Sequence, residues 1–191
     1  MKRVKRIFSL LVVAFALSTT PTVLADDWVL VPSESSIHFT GTQTGEPFSG
    51  VFTRFGANIS YDAAKPESAQ VRAEIELASV STGDAQRDTA LPTKDWFFVS
   101  SFPQATFEAV GFQSFGENRF STAGDLSLRG HRKPIALPFE LKIEGNRATM
   151  NATVTLNRAD FGVGAGPWAD GKWVGLDVTV FINIVAERKM P

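Results

Sequence analysis

Apolar and polar residues alternate along most of this chain. In residues 71–77 the odd-numbered positions are apolar and the even-numbered ones are charged, and the same period of two runs through residues 148–157 and 174–186. Such a pattern places one face of a strand in a core and the other in water, as half-buried antiparallel strands require. Shorter segments of the same kind lie at residues 29–31, 36–40, 48–54, 58–61, 105–112, 119–128 and 135–143.

Turn-forming residues separate these segments at short intervals. Clusters rich in Gly, Pro and Asn occupy residues 45–47, 64–66, 115–118, 144–146 and 164–167. Regular strands joined by tight turns predict an all-β meander that closes into a barrel or folds into a sandwich. The barrel is favoured over the sandwich, because closure of the sheet removes exposed strand edges.

One segment interrupts the alternation. Between residues 82 and 98 the residues are polar and compatible with a helix. Thr82 or Asp84 could cap a short helix at its start, and Pro92 would end it. A single helix inserted in a β-meander is expected to lie across one mouth of the barrel.

The first residues are typical of an export signal. A basic start, Lys2, Arg3, Lys5 and Arg6, precedes an apolar run at residues 7–17 and a small residue, Ala25. The run is shorter than the roughly 20 residues that span a bilayer as a helix, although an uncleaved anchor is the alternative. We therefore expect a cleaved signal peptide at residues 1–25 and one domain at residues 26–191. Cleavage would leave the chain more acidic than its whole-chain net charge of −1, which gives no electrostatic reason to bind nucleic acid.

The aromatic composition is unusual. The chain has 16 Phe and 4 Trp but 1 Tyr, and it has no Cys, so disulfides and thiolate chemistry are excluded. Phe carries no polar group, so a Phe-rich chain must bury these rings or present them to something apolar. A core packed solidly with Phe and an interior that holds an apolar ligand both satisfy this requirement.

Motifs for catalysis or metal binding are missing from the sequence. The two histidines, His38 and His131, form no short-range pair with a carboxylate or with each other, and no metal site is expected. The glycine-rich residues 162–166 contain no phosphate-binding motif and are interpreted as a loop. Arg87 and Asp88 could form a polar anchor at the mouth of the barrel or an ordinary surface ion pair. The basic residues 129–134 could contact a phospholipid surface or form a charged turn between two strands.

Ordered motifs spread over the chain carry a family resemblance. They are Trp28, SSIHF (35–39), FSGVFTRF (48–55), SVSTG (79–83) with Arg87, Asp88 and Leu91, DWF (95–97), FPQATF (102–107), GDLSLRG (124–130) running to Lys133 and Pro134, and NRADFGV (157–163). Together they resemble the YceI-like family of exported, lipocalin-like proteins, also described as polyprenoid-binding.

The resemblance implies a fold and a class of ligand. The implied fold is an eight-stranded antiparallel lipocalin-like barrel with a short helical segment near one opening. The implied ligand is an isoprenoid lipid, either a polyprenyl chain or ubiquinone, and some relatives are linked to stress responses or to capture of other hydrophobic compounds. Residues 164–168 are similar to a branch associated with cytochrome b561-type membrane proteins, which favours a quinone and suggests such a partner. The chain departs from the family at His131, where a hydrophobic residue is common, so a shared head-group contact there is in doubt.

The leading hypothesis is therefore a non-enzymatic periplasmic carrier that needs no cofactor and holds its lipid inside the barrel. The residues expected to line the tunnel are Phe39, Phe52, Phe55, Trp96, Phe97, Phe107, Leu126, Phe139 and Phe161, with Arg87 and Asp88 at the mouth.

Four alternatives stay open from the sequence. The barrel could be solid and act as an interaction or stress-response module, or it could sequester other hydrophobic compounds. A hydrolase or isomerase acting on lipids or esters would need a polar dyad in the cavity, with Arg87 and His131 as its candidates. A homodimer could form through Phe181 and Val185 on the outer face of the last strand, although these residues could equally pack against the N-terminal strand.

Overall fold

This computed structural model describes residues 26–189, which contain twelve β-strands, one short α-helix and several 3₁₀ turns. The predicted signal segment, residues 1–25, lies outside the described residues. The strands are β1 (Asp26–Leu30), β2 (Ser36–Gln43), β3 (Glu46–Phe52), β4 (Phe55–Tyr61), β5 (Gln70–Glu76), β6 (Val80–Ser81), β7 (Gln104–Val110), β8 (Gln113–Ser114), β9 (Arg119–Leu128), β10 (His131–Glu144), β11 (Arg147–Asn157) and β12 (Asp177–Arg188). The helix is α1 (Ala85–Ala90).

Eight strands close on themselves as a barrel. Neighbouring strands follow the order β1, β4, β5, β7, β9, β10, β11 and β12, and every pairing is antiparallel. The last strand returns to the first, with Trp28 opposite Arg188 and Leu30 opposite Ala186. The predicted eight-stranded antiparallel barrel is confirmed, and the sandwich is excluded.

Strands β2, β3 and β6 are the bent continuations of β1, β4 and β5. A 3₁₀ turn at Pro32–Glu34 separates β1 from β2, and another at Leu77–Ser79 separates β5 from β6. The long β12 pairs with β1 near its end and with β2 near its start. The bends therefore do not interrupt the up-and-down order, and the chain is a simple meander.

The two ends of the barrel differ. At the turn end, short connections join β4 to β5 and β10 to β11. At the helical end, residues 82–103 connect β6 to β7 and contain α1, and residues 158–176 connect β11 to β12. These two segments contact each other, since the Asp95 carbonyl accepts the N–H groups of Gly164 and Ala165 at 2.8 and 2.7 Å.

The helix begins and ends where the sequence indicates. The Asp84 side chain accepts the Arg87 N–H at 2.9 Å, which caps the start of α1. The helix ends at Ala90, two residues before Pro92. The predicted short helical segment at one end of the barrel is confirmed.

The sequence left two possibilities for Phe181 and Val185, an exposed outer patch or packing against the N-terminal strand, and the structure separates the two residues. Phe181 is 41% exposed, as expected for the outer face, but Val185 is 5% exposed. The reason is the bend after β1: the Val185 carbonyl accepts the Val31 N–H, and the Val185 N–H donates to Ser35 Oγ. Val185 is therefore covered by its own chain and contributes nothing to an apolar outer patch.

Candidate lipid-binding cavity

The barrel interior is not packed solid. Its inward-facing side chains enclose a cavity of about 310 Å³ that extends between the turn end and the helical end, and its wall is almost wholly apolar. Many inward residues of the central strands are only half-buried, although they face away from the surface. The cavity explains this exposure and rules out a barrel filled by its own Phe rings.

Small side chains widen the middle of the cavity. Ala57 on β4 and Ala73 on β5 are direct cross-strand partners, and both line the cavity. Ala73 is also opposite Phe107 on β7. Two methyl groups side by side leave a hollow in the wall where larger residues would fill the space.

An aromatic cluster closes the turn end. The Phe112 ring lies 5.4 Å from Tyr61 and 4.9 Å from Phe139, and Phe139 stacks on Phe120 at 5.6 Å. Trp28 packs in the same region and its indole N–H donates to the Tyr61 carbonyl at 3.2 Å. Burial raises the pKa of Tyr61, with a smaller contribution from the Asp62 charge, so its phenol stays neutral at physiological pH.

A second cluster of rings lies at the helical end. Phe52 is 5.6 Å from Phe39 and 5.9 Å from Phe97, which the segment after α1 supplies. The Phe39 ring fits only because residue 50 is glycine, since a Cβ there would lie 2.3 Å from the Phe39 ring. This cluster lines the cavity and anchors the segment that covers it.

Arg158 is a buried cation in the cavity wall. It is 5% exposed, and its guanidinium lies 5.4 Å from the Trp96 ring. The guanidinium donates to the carbonyls of Val163, Gly164, Trp168, Val174 and Gly175. Burial lowers the pKa of Arg158 and the Asp170 charge opposes that shift, yet an arginine stays protonated in proteins. Arg158 therefore holds residues 163–175 against the barrel.

The structure brings nine of the eleven sequence-predicted site residues to the cavity wall. They are Phe39, Phe52, Phe55, Trp96, Phe97, Phe107, Leu126, Phe139 and Phe161. Whether these side chains contact a ligand stays a prediction.

Arg87 and Asp88 lie at the helical end outside the cavity lining. The Arg87 guanidinium sits 4.8 Å above the Phe48 ring, which does line the cavity, and donates to Gln43 Oε1 at 2.9 Å. The Asp88 carboxylate accepts the N–H and the hydroxyl of Thr82, both at 2.7 Å. A mouth role for either residue stays a prediction.

Three residues that line the cavity, Arg158, Ala57 and Ala73, were not predicted from the sequence, although the position of Arg158 was predictable. Arg158 continues the inward series of even-numbered positions in β11 that runs from Ala148 to Leu156. Its position alone predicts an inward side chain. Ala57 and Ala73 carry no such signal, because their importance depends on the register between β4 and β5.

Few polar or charged side chains near this cavity are arranged for catalysis or metal binding. His38 and His131 are exposed on strands, and no group of three or more His, Cys, Asp or Glu residues within 26–189 could hold a metal ion. In the basic turn, Arg129 donates to the carbonyls of Gly162 and Lys94, and Arg132 pairs with Asp125 at 2.9 Å.

None of the helices within the described residues is long and apolar enough to cross a membrane.

A closed antiparallel barrel around an apolar cavity defines a lipocalin-like β-barrel protein. The model of the YceI-like domain family matches residues 28–186, and the chain belongs to this family. A relative known as UPF0312 protein, from Pseudomonas syringae pv. tomato, is 33% identical over 184 residues that cover 92% of this chain and 95% of the relative.

Solved structures share the fold. BcnA of Burkholderia cenocepacia is 27% identical with a TM-score of 0.78, and the match covers 82% of this chain and 98% of BcnA. A domain from Saccharophagus degradans, described as a polyisoprenoid binding domain implicated in plant cell wall breakdown, is 19% identical with a TM-score of 0.71. That match covers 87% of this chain and 99% of the domain.

Proposed function

We propose that this protein binds an isoprenoid lipid, a polyprenyl chain or ubiquinone, inside its barrel. The observation that carries the proposal is the apolar cavity, whose volume of about 310 Å³ lies within the range of ~300–1,000 Å³ common for small-molecule sites. The similar fold of the polyisoprenoid binding domain from Saccharophagus degradans supports the same class of ligand.

The cavity suits a hydrocarbon chain on physical grounds. Isoprenoid tails offer no hydrogen-bonding groups, so their binding free energy must come from buried apolar area, at roughly 25 cal/mol per Å². Phe rings and branched aliphatic side chains supply that area without placing a hydroxyl against the tail. The many Phe and the single Tyr of the sequence fit this requirement.

A binding role fits the polar residues better than catalysis does. The dyad considered from the sequence would need Arg87 and His131 in the cavity, but Arg87 lies behind Phe48 and His131 is exposed at the start of β10. We therefore propose carriage of the lipid, with sequestration of other hydrophobic compounds as the alternative that the same cavity could support.

The proposed place of action is the periplasm. The basic start and the apolar run at residues 7–17 support export, and N-terminal sequencing of the protein from a periplasmic extract should begin at Asp26. A carrier there would exchange a quinone with the membrane, and a cytochrome b561-type protein is the partner class that residues 164–168 suggest.

A matched pair of variants on β4 tests the binding site. Ala57→Phe adds a ring to the hollow between Ala57 and Ala73, whereas Asn58→Phe adds the same ring to the exposed face of the same strand. Filling the cavity should lower the affinity for ubiquinone by at least about tenfold, which corresponds to ~1.4 kcal/mol. Quenching of tryptophan fluorescence by ubiquinone delivered from detergent measures the affinity, and circular dichroism checks that both variants fold.

The control should bind ubiquinone as the unmodified protein does. If Ala57→Phe folds and still binds ubiquinone with unchanged affinity, the cavity is not the binding site. If the unmodified protein does not bind ubiquinone or a polyprenyl lipid at all, the proposed function is wrong.

A further inference from the structure

Few polar side chains line the cavity, and three of them, Thr122, Trp28 and Arg158, direct their donors to backbone carbonyls. Thr122 Oγ donates to the Gly111 carbonyl at 2.8 Å, and the Trp28 indole donates to the Tyr61 carbonyl. Every N–H-bearing nitrogen of the Arg158 guanidinium contacts a backbone carbonyl. The surface that the lining residues present to the cavity, with Tyr61 and Trp96 among them, is almost wholly apolar.

Three backbone N–H groups at the bends of the wall are hydrogen-bonded to the protein as well. Between β3 and β4 the Thr53 N–H donates to the Ser79 carbonyl at 3.2 Å, and the Arg54 N–H donates to Ser79 Oγ at 3.1 Å. After β5 the Leu77 N–H donates to the Pro103 carbonyl at 2.9 Å. These are places where a barrel could offer free backbone groups to a ligand, and here they bond to the protein.

A polar head group would therefore lose its hydrogen bonds to water on entering this cavity and gain none in return. A hydrocarbon chain has no such loss. We infer that the cavity recognises the isoprenoid chain alone, so that its ligands include isoprenoid hydrocarbons without any polar head. This inference rests on the proposed function and narrows its ligand class: the head of a quinone or polyprenyl lipid stays outside the cavity and contributes little to affinity.

Three compounds separate recognition of the chain from recognition of the head. They are squalene, which is an isoprenoid hydrocarbon without a polar head, a ubiquinone whose tail has the same number of isoprene units, and the dimethoxy-methyl-benzoquinone head without a tail. Each is added from detergent to delipidated protein, and displacement of a bound fluorescent fatty-acid analogue gives the relative affinity. We expect the affinities for squalene and ubiquinone to agree within about tenfold, and the free head to displace nothing.

The cavity variants show where squalene binds. Ala57→Phe should weaken squalene and ubiquinone binding together, and Asn58→Phe should leave both unchanged. Squalene binding that Ala57→Phe does not affect would place the hydrocarbon outside the cavity and overturn the inference.

The result that most directly contradicts the inference is ubiquinone binding without squalene binding, because the head would then be required. That outcome leaves the proposed function standing. Failure of both ubiquinone and squalene to bind would instead contradict the proposed function itself, so the two failures are distinguishable.

Discussion

At the scale of single residues, Arg158 is a buried charge that holds residues 163–175 in place beside an apolar cavity. A charge is costly to bury unless its donors are hydrogen-bonded, and here the partners are backbone carbonyls of residues 163–175 rather than a carboxylate. The inward position was readable from the alternation in β11, but these partners were not. They come from a loop whose path the sequence pattern does not specify.

Replacing Arg158 should destabilise the protein strongly. Arg158→Met keeps an unbranched side chain in the wall but leaves the carbonyls without donors, and we expect a loss of about 3 kcal/mol or more in the free energy of unfolding. Urea unfolding followed by tryptophan fluorescence measures it. Arg119→Met is the matched control, because Arg119 is exposed and pairs weakly with Glu117 at 3.7 Å, so its loss should stay within about 1 kcal/mol. Equal losses in the two variants would contradict the role assigned to Arg158.

At the scale of elements, the segment of residues 82–103 is held to the barrel by side chains rather than by a sheet ladder. Asp88 accepts hydrogen bonds from Thr82 and Ser81, and Arg87 reaches Gln43 at the β2–β3 turn. Leu91 and Phe97 bury the inner side of the segment. The hydrogen bonds that join α1 to Thr82 at the start of the segment and to Ser81 on β6 should therefore depend on the charge of Asp88.

Asp88 makes the stability of this segment dependent on pH. The side-chain hydrogen bond from Thr82 lowers the pKa of Asp88 most, and the Thr82 N–H adds to it, so the folded pKa lies below the ordinary 3.8. The contribution is therefore fully present above about pH 4 and is lost as the pH falls through the lowered folded value.

Comparison with Asp88→Asn tests this dependence. The variant should be less stable than the unmodified protein from neutral pH down to about pH 4, and the difference should shrink at lower pH. Denaturant unfolding at a series of pH values gives both curves. A difference that stays constant down to about pH 2 would show that the carboxylate charge is not involved.

The elements themselves were largely predictable from the sequence. Alternation identified the long strands β9, β11 and β12, and Pro92 located the end of the helix, because these signals depend only on neighbouring residues. The bends after β1 and β5 were not predictable, because they depend on which strand lies alongside. Whether Val185 is exposed or packs against the N-terminal strand was left open for the same reason: alternation gives the face of a strand but not what covers it.

At the scale of the whole molecule, the eight strands close into a barrel, so the sheet that surrounds the interior has no free edge. Rings close the turn end, and the helical end is covered by two segments linked through Asp95. The central wall keeps small residues such as Ala57 and Ala73, so the interior stays open. The Phe-rich composition alone did not predict this outcome, since a solid core uses the same residues and only strand register determines which side chains face each other.

The central claim is that this interior holds an isoprenoid lipid, and the protein's own cargo tests it most directly. Native mass spectrometry of freshly purified protein, followed by solvent extraction and identification of the released compounds, reports what occupies the barrel. We expect a bound species that extraction removes and that fragments as a polyprenyl lipid or a quinone. Protein that carries no lipid and also fails to take up added ubiquinone would contradict the account.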